Sequence, residues 1–160
     1  MLTQKQKGFS LIELLIVVAI ILIIASIAIP SLIAARRSAH EAAAAKAIGT
    51  INTAQISYNS AYPKDGFAAT LAALGGSACH PPSPSSACLI DSQLASGTKS
   101  GYTFTLSGLA GTPTATYQVI ASPTVPNETG VRYFCSFSDG VVRASDTAIT
   151  NCDANVPPLE

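Results

Sequence analysis

From Leu14 to Ile29 the only polar side chain is Ser26, and this run limits everything else the chain can do. Counted from Phe9, the segment to Ile29 holds 21 residues, roughly 31 Å as a helix and about one bilayer core. Lys5 and Lys7 precede it, so the positive-inside rule keeps the short N-terminus in the cytoplasm and sends the remainder outward. A cleaved signal peptide and a plain membrane anchor are the two ordinary readings. Against the first, the run is longer than a usual signal core, and the segment after it keeps a helical pattern where a cleavage site favours a break. It also carries Glu13 near its start. A carboxylate in a spanning helix is costly and marks a function or a partner, unless it reaches back to the interface.

The stretch Lys7-Gly8-Phe9-Ser10-Leu11-Ile12-Glu13-Leu14 resembles the prepilin processing site of type IV pilins and type II secretion pseudopilins. It has a basic leader ending in Gly, an aromatic next residue, a Glu four positions later and a long apolar run. The resemblance implies cleavage between Gly8 and Phe9 by a membrane prepilin peptidase, then N-methylation of Phe9. The leader would be residues 1–8, and the apolar block would stay with the mature chain as a membrane-spanning and polymerising helix over 9–30. Gly8 suits a peptidase that must bring its catalytic groups close to an unencumbered backbone. Glu13 would compensate the α-amino charge of Phe9 on a neighbouring subunit. Removing either charge leaves the other buried and unpaired, which sets the register of assembly.

The resemblance further implies partners: copies of the chain itself in a helical homopolymer, the prepilin peptidase, an inner-membrane assembly platform, and the cytoplasmic membrane before assembly. The location implied is a single-pass inner-membrane precursor, then an extracellular or periplasmic filament of a bacterium. Formal net charge is zero, which gives a polyanion no general attraction, so no nucleic-acid partner is expected.

Pro30 ends the apolar block. It cannot donate the usual helical hydrogen bond, so a helix that continues through it is expected to kink or melt locally. Beyond it an alanine-rich segment extends to about Tyr62, and alanine is the strongest helix former. Ile48, Ile51, Gln55, Tyr58 and Tyr62 fall at alternating steps of three and four and make one stripe, with Asn52, Thr53 and Asn59 expected away from it. This amphipathic half, 31–62, needs a sheet to pack on. Arg36 and Arg37 read as a solvated face, with anionic headgroups as the other possible contact. Pro63 and Lys64-Asp65-Gly66 stop the helix.

Residues 63–100 read as an irregular connection with a short helical pattern near Ala68 to Leu74, broken by Gly75-Gly76 and a proline tract around Pro81 to Pro84. It resembles the variable region between helix and sheet in pilins. Residues 101–160 supply the sheet. Tyr102, Phe104 and Leu106 alternate with polar residues, as do Ala115, Tyr117, Val119 and Ala121; Val131 to Phe137 is a third strand. Asp139-Gly140 is a hairpin signal leading into Val141-Val142-Arg143. The expected fold is α+β: a long N-terminal helix packed by its C-terminal half on a three- to four-stranded antiparallel sheet, which is the pilin architecture.

The four cysteines, Cys79, Cys88, Cys135 and Cys152, form no CxxC pair, which argues against zinc or thioredoxin-type chemistry. An even number behind an export-type segment reads as disulfides. Of the three possible pairings, the sequential one, Cys79–Cys88 with Cys135–Cys152, closes two short loops and is the one expected. The Cys135–Cys152 loop also resembles the disulfide-closed C-terminal loop of many pilins.

No cofactor is expected. Some pseudopilins bind calcium in that loop, which makes Asp139, Asp146 and Asp153 the positions for it, but their spacing is not that of an EF-hand. His40 and His80 stand apart from any carboxylate cluster. With no GxSxG, HExxH, P-loop or paired acids in the sequence, an enzyme is not expected. The leading expectation is a major pilin, the structural subunit of a type IV pilus-like filament. The alternatives are a pseudopilin acting in protein export and a membrane-tethered binding domain that does not polymerise.

Overall fold

A computed structural model describes residues 8–76 and 81–159. Helix α1 runs Leu11–Ala61, and the chain divides within it into two compact units, one ending at Arg36 and one beginning at Arg37.

In the first unit the helix starts with its own cap. Ser10 and Glu13 have the Ser-x-x-Glu spacing of a capping box, and Glu13 Oε2 accepts the backbone N–H of Ser10 at 2.9 Å. The helix passes through Pro30 without a break. Pro30 has no N–H for the carbonyl of Ser26, and the Ser26 hydroxyl donates to the carbonyl of Ile23 at 2.8 Å. Among the described residues of this unit the large apolar side chains are all exposed, Phe9 by 90 % and even Val18, the least exposed of them, by 45 %.

The second unit lays residues 37–61 of α1 on an antiparallel meander. The strands are β1 (Thr98–Lys99), β2 (Tyr102–Ala110), β3 (Thr116–Pro123), β4 (Tyr133–Phe137) and β5 (Arg143–Ser145), hydrogen-bonded in that order. Strand alternation splits the side chains between two faces. Tyr102, Phe104, Val119, Ala121 and Phe134 point toward Ala44, Ala47, Ile48, Ile51, Ala54 and Tyr58 of α1 and form the main core. Ile120 and Cys135 point the other way, where Cys152, Phe137, Ile149 and Val156 make a smaller cluster. Cys135 and Cys152 are joined there, with Cα atoms 5.9 Å apart. The Cys79–Cys88 pairing involves Cys79, which lies outside the described residues, as does His80.

Five strands replace the three or four expected, because β1 is only two residues long and carries no alternation to read. The Asp139-Gly140 turn is wider than a two-residue hairpin. Gly140 N–H closes on Phe137 C=O at 2.8 Å, but pairing resumes only at Cys135 opposite Arg143, which leaves Val141 and Val142 outside β5. The cause is local competition. Asp139 Oδ1 takes the Val141 N–H at 3.0 Å, and the Gly140 carbonyl is occupied by the Asn52 amide at 3.1 Å.

Asn52 itself corrects the helical stripe, since it is buried beside it instead of facing solvent. Its amide nitrogen also donates to Ser136 Oγ at 2.9 Å, and its oxygen accepts the Tyr117 hydroxyl at 3.1 Å. Gln55, fully buried, exchanges two hydrogen bonds with the backbone of Ala68, at 3.1 and 2.8 Å, and so pins the connection to the helix. That connection contains two short helices, α2 (Leu71–Leu74), capped by Thr70, and α3 (Ser92–Ala95), capped by Asp91. Arg37 is half-buried and donates to the carbonyl of Asn127, whereas Arg36 stays exposed.

Candidate processing and assembly site

Gly8 and Phe9 precede the first turn of α1, outside regular structure and fully open. A Cβ built on Gly8 meets no atom within 4 Å. The fold of the chain therefore places no demand for glycine at this position. Four residues after Phe9, Glu13 is held on the exposed end of the helix by its bond to Ser10. Gly8, Phe9 and Glu13 thus share one end of an apolar rod, with the carboxylate one turn inside it.

Among the described residues α1 is long and apolar enough to cross a membrane, and from Leu14 to Ile29 only Ser26 interrupts its apolar surface. Leu11, Ile12, Leu14, Leu15 and Ile16 are each exposed by more than half. Burial of a Leu or Ile side chain is worth roughly 1.5–3 kcal/mol, so water is not the medium in which this surface rests.

A family profile described as a prokaryotic N-terminal methylation motif matches residues 3–29. The type IV wide pilus major component PilA4 of Thermus thermophilus is 58 % identical over 38 residues. Over this N-terminal segment the chain is similar to type IV pilins. The relative's matched stretch is 24 % of this pilin-like chain and 29 % of that protein, so the chain spans less than a third of its length. No solved structure matches. The long helix and the antiparallel sheet are consistent with the α+β pilin fold.

The remaining candidates lie elsewhere. Pro30 is inside α1 and exposed. Cys135 and Cys152 are on the outer face of the sheet. Asp139, Asp146 and Asp153 do not converge. Asp139 is bound by Arg143 at 2.6 Å, Asp153 accepts the Asn155 N–H at 2.9 Å, and Asp146 is exposed. Among the described residues no three of His, Cys, Asp or Glu are grouped to hold a metal ion. His40 is half-buried beside Gly101.

Sequence reasoning missed Glu41. It is buried on α1, and its carboxylate accepts the backbone N–H groups of Val131 and Arg132 and the Arg132 guanidinium. Burial pushes its carboxyl up, but these hydrogen bonds outweigh that and hold it below its ordinary 4.5. A signal was present. Continuing the Ile48–Tyr62 stripe toward the N-terminus by four and then three residues lands on Ala44 and Glu41.

Proposed function

We propose that this chain is the major structural subunit of a type IV pilus-like extracellular filament, assembled through the apolar half of α1. The observation that carries the reading is the exposed apolar helix that begins at an open Gly8–Phe9 junction. A prepilin peptidase cuts between Gly8 and Phe9, and the new α-amine is methylated. The precursor rests in the cytoplasmic membrane with its globular unit outward, and an inner-membrane platform feeds it into the polymer. There Glu13 compensates the Phe9 amine of a neighbouring copy. In the low-dielectric interior of a helical bundle an unpaired carboxylate or ammonium costs several kcal/mol, so only the register that pairs them is stable. The relative's name, major component of a wide pilus, favours a major pilin over a pseudopilin.

Mass spectrometry of filaments sheared from cells tests this directly. The expected result is this chain as the dominant component, with a mature mass beginning at methylated Phe9. An intact leader, or cleavage near Ala28, overturns the processing step. Correct processing with the chain absent from sheared surfaces points instead to a periplasmic pseudopilus.

A further inference from the structure

The connection between β3 and β4 is tied to α1 by polar bonds that cross about ninety positions of sequence. Glu41 Oε1 accepts the N–H of Val131 at 2.9 Å and of Arg132 at 3.3 Å, and Oε2 accepts Arg132 Nε at 2.9 Å. One turn earlier on the same helix, Arg37 donates to the carbonyl of Asn127. Two successive turns of α1 therefore grip the segment from Val125 to Arg132.

Within the grip the segment holds its own shape. Thr129 N–H donates to Val125 C=O and Asn127 N–H to Gly130 C=O, both at 2.9 Å. None of these internal bonds needs the helix. Val125 and Val131 remain 44 % and 37 % exposed, so apolar burial adds little to the attachment. On either side the ladder of β3 with β4 is complete from Gln118–Phe137 to Ala121–Phe134 and does not depend on Glu41. The Tyr102 hydroxyl donates to Arg132 C=O at 2.8 Å and keeps the far end of the segment seated. A self-contained loop, a firm hinge and a carboxylate that alone takes three of the bonds to α1, with Arg37 adding one to Asn127, make a part that can open separately.

We infer that Glu41 is a charge-operated latch: it holds the Val125–Arg132 segment on α1, and the segment opens as a unit, with helix and sheet intact, when the carboxylate is neutralised. The neutral acid turns one oxygen into a donor that faces N–H donors, and the pairing with Arg132 is lost. The charged and titratable groups around Glu41 can be named. From α1 come Arg37 and His40; from the segment, Arg132 and the exposed Glu128. From β2 comes Tyr102, pushed up to about 12 by burial and then by the Glu41 charge, with Tyr133 of β4 contributing as well. Tyr102 stays neutral throughout, and Glu41 is the acid whose carboxylate bonds the segment to α1. Opening bares two backbone donors and the side chains of Val125 and Val131 on the surface of the globular unit. The inference does not depend on the filament reading.

Hydrogen exchange by mass spectrometry on the full mature chain in detergent micelles, corrected for intrinsic rates, tests it from neutral pH to below 4.5, the ordinary value for Glu41. Peptides covering 125–132 are expected to speed up by about tenfold or more in acid while those covering 119–121 keep their protection. Glu41→Gln is expected to open 125–132 at neutral pH and remove its pH response, and His40→Gln to leave that response unchanged. Should Glu41→Gln also unprotect 119–121, Arg132→Met decides, because losing the cation must move opening to higher pH. The latch is overturned by 125–132 exchanging in step with 119–121 at every pH, by a response that survives Glu41→Gln or vanishes in His40→Gln, or by an opening pH unmoved in Arg132→Met.

Discussion

Glu13 and Ser10 form one hydrogen bond at 2.9 Å that gives the carboxylate two separable duties. As the third residue of a capping box it satisfies a backbone donor that the helix leaves open. As a charge it would be available, under the proposed processing, to the α-amine left on Phe9. Glutamine keeps the first duty and loses the second. Glu13→Gln is therefore expected to be inserted and processed as in the wild type but to yield few or no filaments, and Glu13→Ala the same. Filament recovery from sheared cells, beside the mature mass, is the measurement. Full recovery with Gln would reduce Glu13 to a helix cap.

Asn52 makes the sheet dependent on one amide. It joins Tyr117, Ser136 and the Gly140 carbonyl, and it is almost wholly buried. Leucine keeps the branched outline but is bulkier and offers no polar atom to the Tyr117 hydroxyl or the Gly140 carbonyl, and each buried polar group left without a partner costs about 1–3 kcal/mol. Asn52→Leu is expected to destabilise the globular unit by at least about 2 kcal/mol. Urea denaturation of the mature chain in detergent, with an unchanged slope and a lower midpoint, would register it.

These two residues mark where the sequence was readable. Glu13 stood out because its neighbours in sequence are the context that makes it odd: a carboxylate among Leu and Ile needs no tertiary knowledge to notice. The alternation of Tyr102 to Leu106 and of Tyr117 to Ala121 was legible for the same reason, since period two is a local property. Asn52 and Glu41 lie on or beside a helical stripe, but their partners sit 65 to 91 residues later. No spacing rule connects Glu41 to Arg132. The two-residue β1 and four-residue α3 were silent because elements that short are fixed by what packs on them. Asp91, which caps α3 and pairs with Lys99 at 2.6 Å, is visible as a cap only once the helix is known.

The acid response of stability follows from three depressed carboxylates. Burial raises Glu41 and Asp139, but hydrogen bonds to Arg132 and Val131 in one case and to Arg143 and Val141 in the other bring both below their ordinary 4.5 and 3.8. Asp91 is lowered first by the Lys99 ammonium, but its side chain is 46 % exposed, so solvent screens the effect. A group lowered on folding binds fewer protons in the native state. Its contribution is complete above the ordinary value and is lost as pH falls through the folded one. Urea midpoints are expected to be flat near neutrality and to drop below about pH 4.5, with Asp139→Asn showing a shallower drop. A midpoint that rises in acid would contradict the assignment.

The Cys135–Cys152 bond ties the C-terminal loop to the outer face of β4 across a sequence separation of 17. Closing a loop of that size removes roughly 3 kcal/mol of unfolded-state entropy in the chain-entropy account. The paired change Cys135→Ser with Cys152→Ser is expected to lose about that much, and to do so without touching the helix face of the sheet. Thermal unfolding of the mature chain, with and without the pair, measures it. The N–H of Cys152 also donates to Gln118 Oε1 at 2.8 Å, which keeps part of the loop in place once the bond is gone.

Gly130 is fixed by a tyrosine and not by its backbone angle. A Cβ there would lie 1.9 Å from the Tyr102 hydroxyl oxygen, 2.7 Å from Cζ and 2.9 Å from Cε2. Tyr102 cannot give way freely, since its ring is fully buried against Phe134 at 5.9 Å between centroids and its hydroxyl is bonded to Arg132 C=O. Gly130→Ala is expected to cost about 1–3 kcal/mol through overpacking. Tyr102→Phe removes the 1.9 Å contact but leaves the 2.7 and 2.9 Å contacts, so in the Gly130→Ala background it should relieve part of the cost and not all of it. A double-mutant cycle in urea reads the coupling, and strictly additive effects would show that the two residues do not meet.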